Sequence, residues 1–322
     1  MKIGILGAGT WGSALARILN NNGHEVTLWY HRQSPFDEKR EHKKADLILD
    51  LDIKLTNDLM DVTNNKMLLL VVPSFAMRET LQKIKPYYNQ QLIVIATKGF
   101  ERESNLLMSE VVRDELGEMT QVVALSGPSH AEEVIMDYPT TLVSASDDIN
   151  LAKIVQDTFM SDTLRIYTNE DIKGVELSGA LKNVMAIASG ISKGLGYGDN
   201  TQAALITRGM AEIIRLGIAL NCNKETFNGL AGIGDLIVTA TSTNSRNYNF
   251  GLLIGQGYSK EQALKKVDMV VEGLYALEIA SELMEQHQIE MPIVQAVDDI
   301  INRDKDGKST VMSLLLRDKK GE

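Results

Sequence analysis

The chain has 322 residues, 44% of them apolar, which is more than one hydrophobic core usually accommodates, so two packed domains are the first expectation. A net charge of −10 repels polyanions, and no run of Lys and Arg offers a basic patch, which excludes nucleic acid as a partner. The lone Cys222 rules out an internal disulfide, no Cys/His cluster has zinc-site spacing, and no apolar run approaches membrane-spanning length, so a metal-free cytoplasmic protein without a membrane span is expected.

Gly7 and Gly9 interrupt the apolar opening Met1–Leu6 before it reaches the length of a signal-peptide core. That opening is the first of seven short apolar runs that alternate with helical patterns: Ile3–Leu6, Val26–Tyr30, Met67–Val72, Leu92–Ala96, Val122–Leu125, Thr141–Val143 and Leu164–Tyr167. The rhythm predicts a doubly wound parallel sheet over residues 1–170, and the continuously apolar runs predict strands covered by helices on both faces.

Gly7-Ala8-Gly9-Thr10-Trp11-Gly12 fits G-x-G-x-x-G between the first strand and an amphipathic run through Ala14, Leu15, Ile18 and Leu19. Gly7 allows the tight turn, Gly9 lets the backbone approach a pyrophosphate, Gly12 lets helix and strand pack closely, and the helix N-terminus offers amide donors. The second strand runs into His31 and Arg32, with no carboxylate until Asp37. Arg32 could pair with a ribose 2′-phosphate, so NADP(H) is the preferred cofactor and NAD(H) a usable one. Residues 36–44 (FDEKREHKK) alternate acids and bases, as on a solvated helix or loop.

Thr97-Lys98-Gly99 places Lys98 just past the carboxyl end of a strand, where open α/β sheets bind ligands, although an exposed loop lysine explains it equally. Ser126-Gly127-Pro128-Ser129 follows the next strand, where its amides could meet an anion or simply form a turn and helix cap.

After residue 170 the strand signals stop, and 171–322 reads as all-helical. Between Glu176 and Ile191 an apolar stripe (Leu177, Leu181, Val184, Ala188, Ile191) shares one helix with small residues on other faces, predicting a domain-interior helix. Lys182 and Asn183 lie off the stripe. A lysine on such a helix is costly unless paired or used, though a snorkelling surface lysine is the plain alternative. Further on, Gly232-Ile233-Gly234-Asp235 and Asn244-Ser245-Arg246-Asn247 gather a carboxylate, a guanidinium and several amides, and Arg246 could fork onto a phosphate. The final stretch Arg317–Glu322 reads as a frayed end.

These motifs together (GAGTWG at 7–12, ATKGF at 96–100, SGPSHAEEV at 126–134, ELSGALKNVMAIASG at 176–190, GLGYGDNTQAALITRG at 194–209, GLAGIGDLIVTATS at 229–242 and NSRN at 244–247) resemble the bacterial-type NAD(P)-dependent glycerol-3-phosphate dehydrogenase family over nearly the whole chain. The resemblance implies a Rossmann-like domain followed by an all-helical domain of the 6-phosphogluconate dehydrogenase type. It also implies interconversion of sn-glycerol 3-phosphate and dihydroxyacetone phosphate, at the head of glycerophospholipid synthesis. On the family pattern Lys182 is the proton donor or acceptor. Lys98, Gly127, Ser129, Asp235, Ser245, Arg246 and Asn247 hold the small phosphorylated substrate. Thr10, Trp11, His31, Arg32, Ala131, Val270 and Glu272 lie near the dinucleotide, and Lys98 and Arg246 touch both ligands. A homodimer is the commonest assembly for such folds.

Two departures stand out. The family's Asn-x-x-Tyr-Leu-Pro stretch is absent from the shortened Gln33–Asp58 segment, which puts the adenine-side contacts in question, and His130 stands where phenylalanine is common. A β-hydroxyacid or 6-phosphogluconate-type dehydrogenase is the rival enzyme, against which NSRN and AGIGDL speak. A dinucleotide sensor is the rival of another class, and it would need no proton donor beside an anion clamp.

Overall fold

The apolar runs of the N-terminal half form one eight-stranded sheet: β1 (Lys2–Leu6), β2 (Glu25–Trp29), β3 (Lys54–Thr56), β4 (Met67–Leu70), β5 (Leu92–Ile95), β6 (Val122–Ser126), β7 (Thr140–Ala145) and β8 (Leu164–Asn169). Their order is β3-β2-β1-β4-β5-β6-β7-β8. The computed structural model describes residues 1–319 and 321 and divides into two compact units, Met1–Glu176 and Leu177–Glu322. In the first, β1 pairs in parallel with β2 on one side (Ile3 opposite Val26) and β4 on the other (Ile3 opposite Met67). Chain order therefore reverses at β1, and the crevice beyond the carboxyl ends of β1 and β4 is where such sheets take a ligand.

One sequence expectation needs correction. The sheet is not wholly parallel, because β7 runs antiparallel to β6. The connection between them holds only the 5-residue helix Ala131–Ile135, and β7 returns alongside β6 in the opposite direction, Ala124 opposite Ala145. The charged stretch 36–44 is a loop whose charged side chains mostly face solvent, but two of its residues anchor it to the core. Phe36 and His42 pair across an isolated bridge, 4% and 7% exposed, and Phe36, Leu47, Leu49 and Ile53 join the same core as Ile3, Ile5 and Leu28. Beyond them, β3 had no apolar run to announce it: it is only Lys54-Leu55-Thr56.

The turn into the first helix, Thr10–Asn21, is a place where glycine is required. Gly7 has φ +123°, and a Cβ on Gly12 would lie 1.9 Å from the Gly7 carbonyl oxygen. Only hydrogen fits that contact, so the helix can start directly against the strand end.

The second unit is all-helical among the described residues. Its axis is the helix Ile172–Gly194, whose residues from Leu177 to Ser192 are all buried, as its several smooth faces predict. The helix Arg246–Gly255 crosses it at backbone contact: a Cβ on Gly190 would lie 2.0 Å from the Tyr248 carbonyl oxygen, and one on Gly251 would lie 2.1 Å from that of Ile187. This close approach brings the start of that helix, Arg246-Asn247, beside the Lys182-Asn183 turn. No helix among the described residues is long and apolar enough to cross a membrane. Of the stretch Arg317–Glu322, Lys320 and Glu322 lie outside the described residues, while Arg317 is tied to Glu290 at 3.0 Å.

Candidate active site

In the first unit the glycine-rich turn has the shape needed to receive a pyrophosphate. Gly9 is extended (φ −72°, ψ 177°), it N-caps the helix Thr10–Asn21, and no side chain caps that helix. A Cβ on Gly9 would meet nothing within 4 Å, so no protein contact demands glycine there. The N-terminus of a helix left without a side-chain cap is where an anion gains most. A nicotinamide dinucleotide fits this cradle.

At the end of β2, His31 stacks on Trp29 with ring centroids 5.8 Å apart, and both His31 and Arg32 are exposed. Both lie within electrostatic reach of Glu79, which itself pairs with Lys83. Past β5, Lys98 is half-buried and donates from Nζ to the Gly127 carbonyl at 2.9 Å, and Ser129 Oγ donates to the same carbonyl at 3.0 Å. The loops after β5 and β6 are thus joined through Lys98, Gly127 and Ser129. Gly127 sits at φ +132°, and Ala131 opens the short helix that follows. The Lys98 loop is anchored by Glu101, which accepts two hydrogen bonds from Arg78 at 2.7 Å each. The Arg78 guanidinium holds the Glu101 carboxyl below its ordinary range even though burial opposes this.

In the second unit Lys182 is 6% exposed, so the snorkelling alternative does not hold. Its ammonium pairs with Asp235, itself 1% exposed, and donates to Thr239 Oγ1 at 2.8 Å. Thr239 lies one turn along the helix Asp235–Thr241 and donates to the Asp235 carbonyl at 2.6 Å. A buried ion pair of this kind is costly unless hydrogen bonds satisfy both partners, and Thr239 supplies one of them. Sequence reasoning missed Thr239, although its four-residue spacing from Asp235 was the available signal.

Ser245 caps the helix Arg246–Gly255, accepting from the Tyr248 amide at 3.2 Å. Arg246 is exposed and makes no hydrogen bond or ion pair among the described residues. Asn247 is committed inside the protein: it donates to Asn183 Oδ1 and accepts from the Gly273 amide, both at 2.9 Å. It thereby locks the Lys182 helix to the helix Glu272–Gln286, whose first residue is Glu272. Val270 lies two residues earlier and is half-buried. No cluster of three or more potential metal ligands occurs among the described residues.

The chain matches two family models: the NAD-dependent glycerol-3-phosphate dehydrogenase N-terminus over residues 2–152, and its C-terminus over residues 171–312. It is 50% identical to glycerol-3-phosphate dehydrogenase [NAD(P)+] 2 of Lactobacillus delbrueckii subsp. bulgaricus, covering 100% of this chain and 98% of the relative. It is 48% identical to glycerol-3-phosphate dehydrogenase [NAD(P)+] of Thermoanaerobacter sp., covering 100% and 99%. The crystal structure of glycerol-3-phosphate dehydrogenase from Coxiella burnetii superposes with a TM-score of 0.92 at 39% identity, over 98% of this chain and 99% of that one. With both halves matched and the likeness running end to end, the chain belongs to the NAD-dependent glycerol-3-phosphate dehydrogenase family.

Proposed function

We propose that the chain interconverts sn-glycerol 3-phosphate and dihydroxyacetone phosphate with a nicotinamide dinucleotide, supplying glycerol 3-phosphate for glycerophospholipid synthesis. The observation that carries the reading is the buried Lys182–Asp235 pair, with Arg246 exposed at the start of the neighbouring helix. A proton donor and an anion clamp are what reduction of a phosphorylated ketone requires.

The nicotinamide supplies or takes the hydride at C2. Residues 1–170 serve the dinucleotide and 171–322 carry the proton transfer. Gly7, Gly9, Thr10, Trp11 and Gly12 receive the pyrophosphate on backbone amides, while His31 and Arg32 reach its adenosine end. Ala131, Val270 and Glu272 contribute to the same cofactor. Lys182 delivers a proton to the forming C2 alkoxide in one direction and removes it in the other, and Asp235 with Thr239 fixes its ammonium in place. Arg246 forks onto the phosphate, with Ser245 and Asn247 holding its helix end. Lys98, Gly127 and Ser129 offer donors to the substrate or cofactor. Arg32 favours NADP(H), with NAD(H) still accepted, because its guanidinium can pair with a 2′-phosphate. The cytoplasm suits the single thiol of Cys222, which is buried and outside any disulfide.

The test is oxidation of reduced cofactor, followed by absorbance, with dihydroxyacetone phosphate, 2-ketopantoate and 3-hydroxyisobutyrate semialdehyde offered in parallel. Turnover should stand clear with dihydroxyacetone phosphate alone. Preference for either of the other two moves the chain to the β-hydroxyacid class, and binding of cofactor without turnover of any moves it to the sensors.

A further inference from the structure

Lys182 and Asp235 sit on two different helices, Ile172–Gly194 and Asp235–Thr241, so the geometry of their pair depends on what fixes one helix against the other. The second helix has only 7 residues, too few to be stable without tertiary contacts. Its first residue is held through Lys182. Its far end is held by another pair of side chains.

Ser189 stands two turns beyond Lys182, about 10.5 Å along the helix and on the same face. It is 1% exposed, and its Oγ donates to the Ala240 carbonyl at 2.7 Å. A serine inside a helix often bonds back to its own preceding turn, whereas this one reaches across to a neighbour. Ala240 is fully buried, and its carbonyl is one of the last four of its helix, which have no partner within it. Gln202, half-buried on the helix Asp199–Ala219, donates to the same carbonyl at 3.1 Å and to Ser189 Oγ at 3.0 Å. Three hydrogen bonds thus close a triangle with one corner on each of three helices. One donor would satisfy the buried carbonyl; two donors from different helices also fix its position. The residue before Ala240 is Thr239, whose Oγ1 accepts from the Lys182 ammonium.

We propose that Ser189 and Gln202 are positioning residues for the proton transfer: their shared hold on the Ala240 carbonyl sets the helix Asp235–Thr241 against the helix of Lys182, and so keeps Asp235 and Thr239 where they aim the ammonium. This rests on the reading that Lys182 moves the proton at C2. Neither residue has to touch substrate or cofactor, so their removal acts on kcat and leaves KM alone.

The test measures kcat, both KM values and Tm for Ser189→Ala, Gln202→Leu and the double variant. Each single variant keeps one donor on the carbonyl, and its kcat should fall about threefold. The double variant keeps neither, and its kcat should fall about 10²-fold, well beyond the product of the singles, since a shift of about 1 Å at the reacting group costs that much. KM for dihydroxyacetone phosphate and for the reduced cofactor should stay within about twofold of the parent throughout. Losses that only multiply, a KM that rises as kcat falls, or a lowered Tm with kcat unchanged each overturn the proposal. If the double variant does not fold, Gln202→Leu decides, because that side chain is half-buried: a kcat equal to the parent's overturns the proposal, and a fall at constant KM upholds it. Near-normal turnover of Lys182→Met defeats the proton-transfer reading itself, a result separable from failure of the Ser189 and Gln202 variants.

Discussion

Lys182 and Asp235 can be tested as a unit by a double-mutant cycle that separates stability from chemistry. Lys182→Met leaves the Asp235 carboxylate, 1% exposed, without its ammonium, and Asp235→Leu leaves the Lys182 ammonium, 6% exposed, without its carboxylate. Removing one partner of a buried pair costs roughly 3–5 kcal/mol, whereas replacing both with well-packed apolar groups is about neutral. The double variant Lys182→Met/Asp235→Leu should therefore be more stable than either single variant, with a coupling of about 3 kcal/mol or more in urea unfolding. Activity should behave differently. Lys182→Met should bind reduced cofactor normally but turn over about 10²–10⁴-fold more slowly, and the double variant should be as slow although its stability is restored. Two outcomes refute the reasoning: single-variant costs that simply add in the double show the pair is not coupled, and near-normal turnover of Lys182→Met removes that lysine from proton transfer.

Arg246→Lys keeps the charge but loses the fork, so affinity for dihydroxyacetone phosphate should fall while that for unphosphorylated dihydroxyacetone stays constant. Equal losses for both would discard the phosphate assignment. Arg32→Ala should weaken NADPH binding more than NADH binding, with a gap that narrows as salt rises, since Arg32 is exposed. A parent preference for NADH would contradict it. Glu212, 1% exposed, accepts the amides of Ile293 and Val294 at 2.8 and 3.2 Å and so caps the helix Pro292–Asn302, yet burial pushes its carboxyl from 4.5 up to about 7. Because the folded value is raised, its contribution is full below pH 4.5 and is lost as pH rises through about 7. Glu212→Gln should thus match the parent near pH 4.5 and gain on it by up to about 3 kcal/mol at pH 8. A difference between the two that ignores pH would show that Glu212 does not titrate in that window.

The amino-acid sequence by itself determined the plan of the molecule, because its signals are local. A glycine pattern between an apolar run and an amphipathic one defines a strand–turn–helix wherever it sits, and β1, Gly7, Gly12 and the helix Thr10–Asn21 follow it. Small residues on several faces of one helix likewise announce the buried axis Ile172–Gly194. Tertiary structure decided what depends on partners distant along the chain. Only packing shows that Lys182 is buried, because its stability there needs Asp235 and Thr239, 53 and 57 residues away. Only packing commits Asn247 to Asn183 and Gly273, since an asparagine's donors and acceptors look the same in sequence whether they face a ligand or a neighbouring helix. The antiparallel direction of β7 was settled by its pairing with β6, which an apolar run does not encode because such a run reads the same in either direction. His42 looked like one more polar residue in a charged run. Phe36, Leu47 and Leu49 fold that run against the core; the alternation of Leu47, Leu49, Leu51, Ile53 and Leu55 along the chain was the local signal for its second half, whereas the burial of Phe36 and His42 depends on contacts that no local pattern encodes.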